Sequence, residues 1–257
     1  MNSNYNDHKG EDPLYEQVMG ANDPRSQSAR SATMGAGSFT KNNLRHAVEG
    51  GRIISRSMYN LIMGLIILWG VGLDTFIVYN FGDQLTMAFA RSWSTLIIFI
   101  GLVIVGTIIV NVSKNAILSF IGYNMLVVGF GISLAMIVNL YAPAVVLEAF
   151  LVTTIVTAFM LLMGTLWADF FLKIGRVLLV ALIGVIIVEV IMLFITGTYP
   201  TWISVVSAII FSGFIGYDWA MAQKAPTTTK NAVMFATALY VDIINLFLDL
   251  LRIFGDR

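Results

Sequence analysis

The 257-residue sequence has no cysteine and only two histidines, His8 and His46. The first absence excludes disulfides and thiolate metal sites and leaves the redox compartment open. Both histidines lie in a polar N-terminal stretch and read as solvated tail residues. Charge is also scarce. Charged residues make up 12% of the chain and the net charge is zero, so nothing favours a nucleic-acid partner. What replaces charge is hydrocarbon, with 58% hydrophobic residues and a mean hydropathy of +0.82. A soluble domain this apolar would present an oily surface, so lipid is expected to solvate most of the chain.

Residues 1–52 differ in kind. They are rich in Ser, Asn, Gly and Asp and show no lasting hydrophobic period. Such a segment cannot bury enough apolar surface to offset the entropy of ordering, which predicts a disordered polar tail. It lacks the basic start, short apolar core and small-residue cleavage site of a secretory signal. PLYEQVMG, within it, is a candidate contact motif.

Residues 53–257 form the second region, a membrane domain. Seven apolar segments run from Met58 to Val78, Trp93 to Val112, Ala116 to Leu140, Ala144 to Trp167, Ile174 to Ile195, Thr201 to Met221 and Ala232 to Phe254. Each is long enough to cross a hydrocarbon core of roughly 30 Å as a helix. Period-two alternation is missing, which argues against a barrel of about ten-residue strands. The expected fold is therefore an all-α membrane protein of seven transmembrane helices. Lys and Arg gather on one side of it: Arg45, Arg52, Arg56, Lys114, Lys173, Arg176, Lys224 and Lys230, against Arg91, Arg252 and Arg257 on the other. This asymmetry puts the N-terminus in the cytoplasm and the C-terminus outside. The loops leave no room for an extramembrane catalytic domain, and no enzymatic activity is expected.

Acids within these segments are the informative residues. A charged group at mid-bilayer costs several kcal/mol, so it normally faces the bundle interior. The candidates are Asp74, Glu189, Asp218, Asp242 and Asp249. Glu148 and Asp169 lie nearer helix ends, and Lys173 at i+4 is the expected partner of Asp169. On helix 7, Asp242, Asn245, Asp249 and Arg252 fall within about 80° of arc, a polar stripe that cannot face lipid. Asp249 and Arg252 can pair at i+3. Asp242 has no basic residue within a turn. Asp218, on the antiparallel helix 6, is the natural partner, although rise per residue leaves a depth mismatch of about 5–10 Å. Ala208, Ser212 and Gly216 give helix 6 a small-residue seam for close helix approach. Two desolvated carboxyls in contact cannot easily both be ionised, so the pair would hold a shared proton. It would be a pH-responsive latch and a Ca²⁺ site completed by carbonyls or water. It could also merely lock two helices together. Asp74 and Glu189, taken singly, read as structural acids without an assigned role.

The stretches IGYDWAMA and ALYVDIINLFLDLLRIFG resemble the C-terminal signature of the Bax inhibitor-like family, the transmembrane Bax inhibitor motif proteins. TLWADFFLKIGRVLLVALIG is similar more loosely. The resemblance implies a bacterial cytoplasmic-membrane protein with helix 7 central among the other six. It implies a pH-sensing, gating pair, Asp218 and Asp242, controlling a calcium leak, with Arg252 helping to close one end of the path. Bacterial members are also linked to an ATP-dependent membrane protease. One departure is that helix 2 has no interior basic residue to latch the pair.

The expected function is thus a pH-sensitive calcium leak channel that exchanges Ca²⁺ and protons with its aspartate pair and needs no cofactor. The alternatives are a non-conducting regulator of a membrane protease or other membrane partner, and a cation/proton exchanger. A membrane aspartyl protease is disfavoured, because Asp242 follows Leu239, Tyr240 and Val241 where that class has Gly-x-Gly. Helix 7 also lacks the interior lysine of a retinal-binding protein.

Overall fold

The computed structural model describes residues 53–91, 94–197 and 200–256. The expected tail, with PLYEQVMG, Arg45 and Arg52, lies outside them, as does Arg257. The described residues form seven α-helices: α1 (Arg56–Arg91), α2 (Ser94–Val112), α3 (Ala116–Val138), α4 (Pro143–Leu166), α5 (Ala168–Thr196), α6 (Thr201–Lys224) and α7 (Thr229–Gly255). All but α2 are long and apolar enough to cross a membrane, and the apolar stretch of α2 spans Ile97–Val112.

Two helices outrun their apolar segments. The first continues past Val78 through Asn80, Asp83 and Gln84 to Arg91. Its 36 residues make about 54 Å of helix, well beyond a hydrocarbon core. Hydropathy marks where lipid ends, and nothing in those polar residues breaks a helix. Asn80 and Thr86 turn their side chains back onto the carbonyls of Phe76 and Gly82 (both 2.8 Å). Likewise α5 starts at Ala168 rather than Ile174, with only Trp167 between it and α4. Other boundaries follow local chemistry. Asn115 caps α3 by accepting from the Ile117 amide at 2.8 Å, and Pro143 opens α4.

The packing is unequal. In α7, 72% of the apolar window is buried, against 6% in α5. α7 packs on α6, α1, α4 and α3, while α2 packs mainly on α3 and α5 on α6. Tyr59, Met63, Tyr123, Leu126, Tyr240 and Ile244 build the core between α1, α3 and α7. Ala208, Ile215, Leu239 and Leu246 build a second one between α6 and α7. Apolar side chains such as Leu68, Ile155, Val180 and Ile209 point outward, an oily belt suited to lipid.

Glycines set the closest crossings. A Cβ on Gly106 would lie 2.6 Å from the carbonyl oxygen of Gly122, and one on Gly122 would lie 2.9 Å from that of Gly106. Backbone therefore meets backbone between α2 and α3. The seam on α6 is shared among neighbours. Gly216 faces Gly164 of α4 and Phe171 of α5, and Ala208 joins the core with α7.

A clasp unsignalled in the sequence holds the α6–α7 loop. The Ile54 amide donates to Thr227 O (2.8 Å), Thr227 Oγ1 donates to Ile54 O (2.7 Å), and Ile53 bridges Thr228. Beside it, Arg56 Nη1 donates to Ala222 O at 3.3 Å and Gln223 Nε2 to Asn60 Oδ1 at 3.1 Å. Thr227→Val removes the hydroxyl bond at nearly constant volume. It should cost about 1 kcal/mol, read as a lower thermal unfolding midpoint in detergent. An unchanged midpoint would show the clasp to be incidental.

Candidate functional site

The clasped loop bears directly on Asp218 and Asp242. Counting from Lys224 and Thr229, Asp242 lies about 10 Å deeper into its helix than Asp218 does. Ala225 and Thr228 are extended, and between them the Thr228 amide donates back to Pro226 O at 2.9 Å, so the loop turns at Thr227. The first turn of α7 has Lys230 and Asn231 fully buried, and Ala232 shares a core with Ala222 and Ala225. Thr228 caps it by accepting from the Asn231 amide (3.2 Å), and Asn231 Nδ2 ties it to Pro226 O (2.8 Å). Asp218, half-buried, and Asp242, buried, come within side-chain hydrogen-bond reach of each other.

Ionised carboxylates only accept hydrogen bonds, so a bond between two of them requires a proton on one. Asp242 Oδ2 is buried and has no partner among the described residues. No basic group among those residues faces either acid; each acts on the other. The arrangement can therefore hold a proton, release it, or offer oxygen ligands to a hard cation. Among the described residues no three His, Cys, Asp or Glu side chains gather. A calcium ion at this pair would need carbonyls or water for its remaining ligands, which suits an ion in transit better than a resident one.

The rest of the helix 7 stripe divides. Asn245 donates from Nδ2 to Val241 O of its own helix (2.8 Å). Asp249 is buried about two turns from Asp242, with Arg252 Nη1 3.7 Å from its Oδ1. Ser207 of α6 lies within hydrogen-bonding reach of Asp249, and Glu189 of α5 lies within electrostatic reach of Asp249 and Arg252. Glu189 thus belongs to a second cluster, at the α7 C-terminal end. Asp74 belongs to a third. It is buried, and its Oδ2 accepts from Tyr240 Oη at 2.5 Å.

Two sequence expectations need correction. Asp169 pairs across helices with Lys224 (2.5 Å), not along α5 with Lys173. The early start of α5 brings Asp169 level with the end of α6. Lys230, counted as a loop cation, is fully buried, and its Nζ lies 3.4 Å from Met234 Sδ. The first turn of α7, tied back to Pro226 O through Asn231 Nδ2, lies inside the bundle. Ser207 and Tyr240 have no role that sequence reasoning could assign. Serines are common in membrane helices, and nothing local separates Ser207 from the others. Tyr240 stands inside the quoted signature, but its partner is 166 residues away.

Residues 52–257 match the family Bax1-I, described as inhibitor of apoptosis-promoting Bax1. The chain is 33% identical over 205 residues to an uncharacterized membrane protein of Streptococcus pyogenes serotype M1, covering 72% of this chain and 87% of that one. It is 31% identical over 137 residues to the inner membrane protein YbhL of Escherichia coli strain K12, covering 49% and 58% respectively. With its apolar helices and these relatives, the chain belongs to the Bax inhibitor family, as an integral bacterial membrane protein.

Proposed function

We propose that the protein is a pH-sensitive calcium leak channel, gated by a proton shared between Asp218 and Asp242. One observation carries this reading: two carboxyls meet inside an apolar bundle with no basic group facing them among the described residues. In the proposed arrangement α7 stands at the centre of the bundle, a place its burial supports. The N-terminus is cytoplasmic and the C-terminus outside. Setting buried Lys230 aside leaves seven loop cations against three, so the charge asymmetry behind this orientation survives. The stripe of Asn245, Asp249 and Arg252 continues the path towards the C-terminal end, where Arg252 and Glu189 oppose each other in charge.

The test is Ca²⁺ flux through purified protein in liposomes across a range of pH. Flux independent of pH would exclude proton gating. Linkage gives a sharper expectation. Ca²⁺ and protons compete for the same oxygens, so bound Ca²⁺ disfavours the proton and the proton disfavours Ca²⁺ equally. Raising Ca²⁺ should therefore move the midpoint of the pH response to lower pH. Where binding is competitive and Ca²⁺ is well above its dissociation constant, each tenfold increase should move the midpoint by up to about one unit. A midpoint indifferent to Ca²⁺ would place the ion and the proton at different sites.

A further inference from the structure

We propose that Asp74 and Tyr240 form a second proton-binding site in the membrane interior, on the opposite side of α7 from Asp218 and Asp242. Two residues along a helix turn by about 200°, so Tyr240 points away from the face that carries Asp242. Asp74 comes from α1 and is 3% exposed. Its Oδ2 accepts the Tyr240 hydroxyl at 2.5 Å. Its Oδ1 is buried without a partner among the described residues, and a Cβ built on Gly131 of α3 would lie 3.0 Å from it.

Among the described residues no cation stands by to neutralise this acid. Helix α1 has no Lys or Arg between Arg56 and Arg91. Helix α2 carries no titratable residue. The one titratable residue of α3 is Tyr123, and its hydroxyl already donates to Ile66 O at 2.7 Å. From α7 the facing group is Tyr240 itself. An ionised Asp74 would keep one hydrogen bond, leave an oxygen orphaned and place an uncompensated charge in a hydrocarbon-like interior. A proton on Oδ1 removes the charge and leaves the Tyr240 bond to Oδ2 intact.

The tyrosine is held for this contact. Its ring meets Tyr123 (5.5 Å, 82°) and Phe130 (6.0 Å, 84°) edge-on. Gly70 gives both tyrosines room, since a Cβ there would lie 2.0 Å from Tyr123 Oη and 2.9 Å from Tyr240 Cε2. Protonation of Asp74 therefore neutralises the contact between α1 and α7, whereas Asp218 and Asp242 meet between α6 and α7.

Infrared spectroscopy of the full-length protein in lipid, with Asp218→Asn and Asp242→Asn both present, isolates this site. A carboxylic-acid C=O band should persist there and vanish on adding Asp74→Asn. In a Tyr240→Phe variant the band should move to higher wavenumber, because the carboxyl loses its donor. That variant keeps the ring packing and reads the site if Asp74→Asn does not fold. Two results would overturn the proposal. One is a band in the Asp74 region that is unmoved by Tyr240→Phe. The other is a band abolished by Na⁺ or K⁺ at fixed pH, which would make the site one for a metal cation.

Discussion

In liposomes, Asp242→Asn and Asp218→Asn should each flatten the pH response of Ca²⁺ flux. Asparagine matches aspartate in shape and adds an N–H donor. In Asp242→Asn, the Asp218 carboxylate can accept a hydrogen bond from the new side-chain amide at any pH. In Asp218→Asn, the Asp242 carboxylate accepts in the same way. The helices stay joined, but no shared proton is needed to join them. In the native pair, the ratio of protonated to deprotonated forms changes tenfold per pH unit. Flux that follows this equilibrium should change by about an order of magnitude across the titration, and less than about twofold in either variant. Asp169→Asn is the control, because Asp169 is exposed and bonded to Lys224 at the C-terminal end of α6, outside the buried pair. It should keep the full response. If both pair variants keep it too, Asp218 and Asp242 only lock two helices together, and the gate lies elsewhere.

The reasons why Asp218 and Asp242 can be paired from sequence, and Asp74 and Tyr240 cannot, are physical. Lipid imposes a length on apolar segments, so seven runs are countable without any tertiary information. A short loop makes consecutive helices antiparallel neighbours, and rise per residue then turns sequence position into depth. That arithmetic singles out Asp218 for Asp242. It leaves a mismatch because residue counts along each helix carry no information on the path of the loop over 225–228 or on how the helices tilt. Asp74 and Tyr240 sit on the first and last helices, and no loop length relates their depths or faces. Lys224 and Asp169 escape for a similar reason, as the i+4 rule offers Lys173 and cannot see across helices. Helix ends are legible only where a cap or a proline marks them, as at Asn115 and Pro143. The polar extension of α1 has no such mark. Glycines are visible as small residues, but small size does not say which neighbour approaches, and Gly216 serves α4 and α5 rather than α7.

Gly164→Val should therefore both destabilise the protein and disturb the aspartate pair. A Cβ at Gly164 would lie 2.6 Å from Gly216 O and 3.2 Å from Gly216 Cα. Both are backbone atoms, so no side-chain rotation relieves the clash, and α4 and α6 must move apart. Helix α6 has little room to retreat, because a Cβ on its own Gly216 would already lie 2.4 Å from the Phe171 ring of α5. The Trp219 Nε1 to Thr165 Oγ1 bond (2.7 Å), close by along both helices, is strained by the same movement. Overpacking of this kind costs roughly 1–3 kcal/mol, which thermal unfolding in detergent would register. Gly216 is two residues from Asp218, so the displacement reaches the pair and should blunt the pH response of the protein that still folds. Gly64→Ala and Gly72→Ala in α1 are the controls, since a Cβ at either meets nothing within 4 Å. They should be neutral or gain up to about 1 kcal/mol from helix propensity. If Gly164→Val matches these controls in both stability and pH response, the α4–α6 crossing does not hold Asp218 in place. The register of the pair would then have to come from the loop clasp at Thr227 alone.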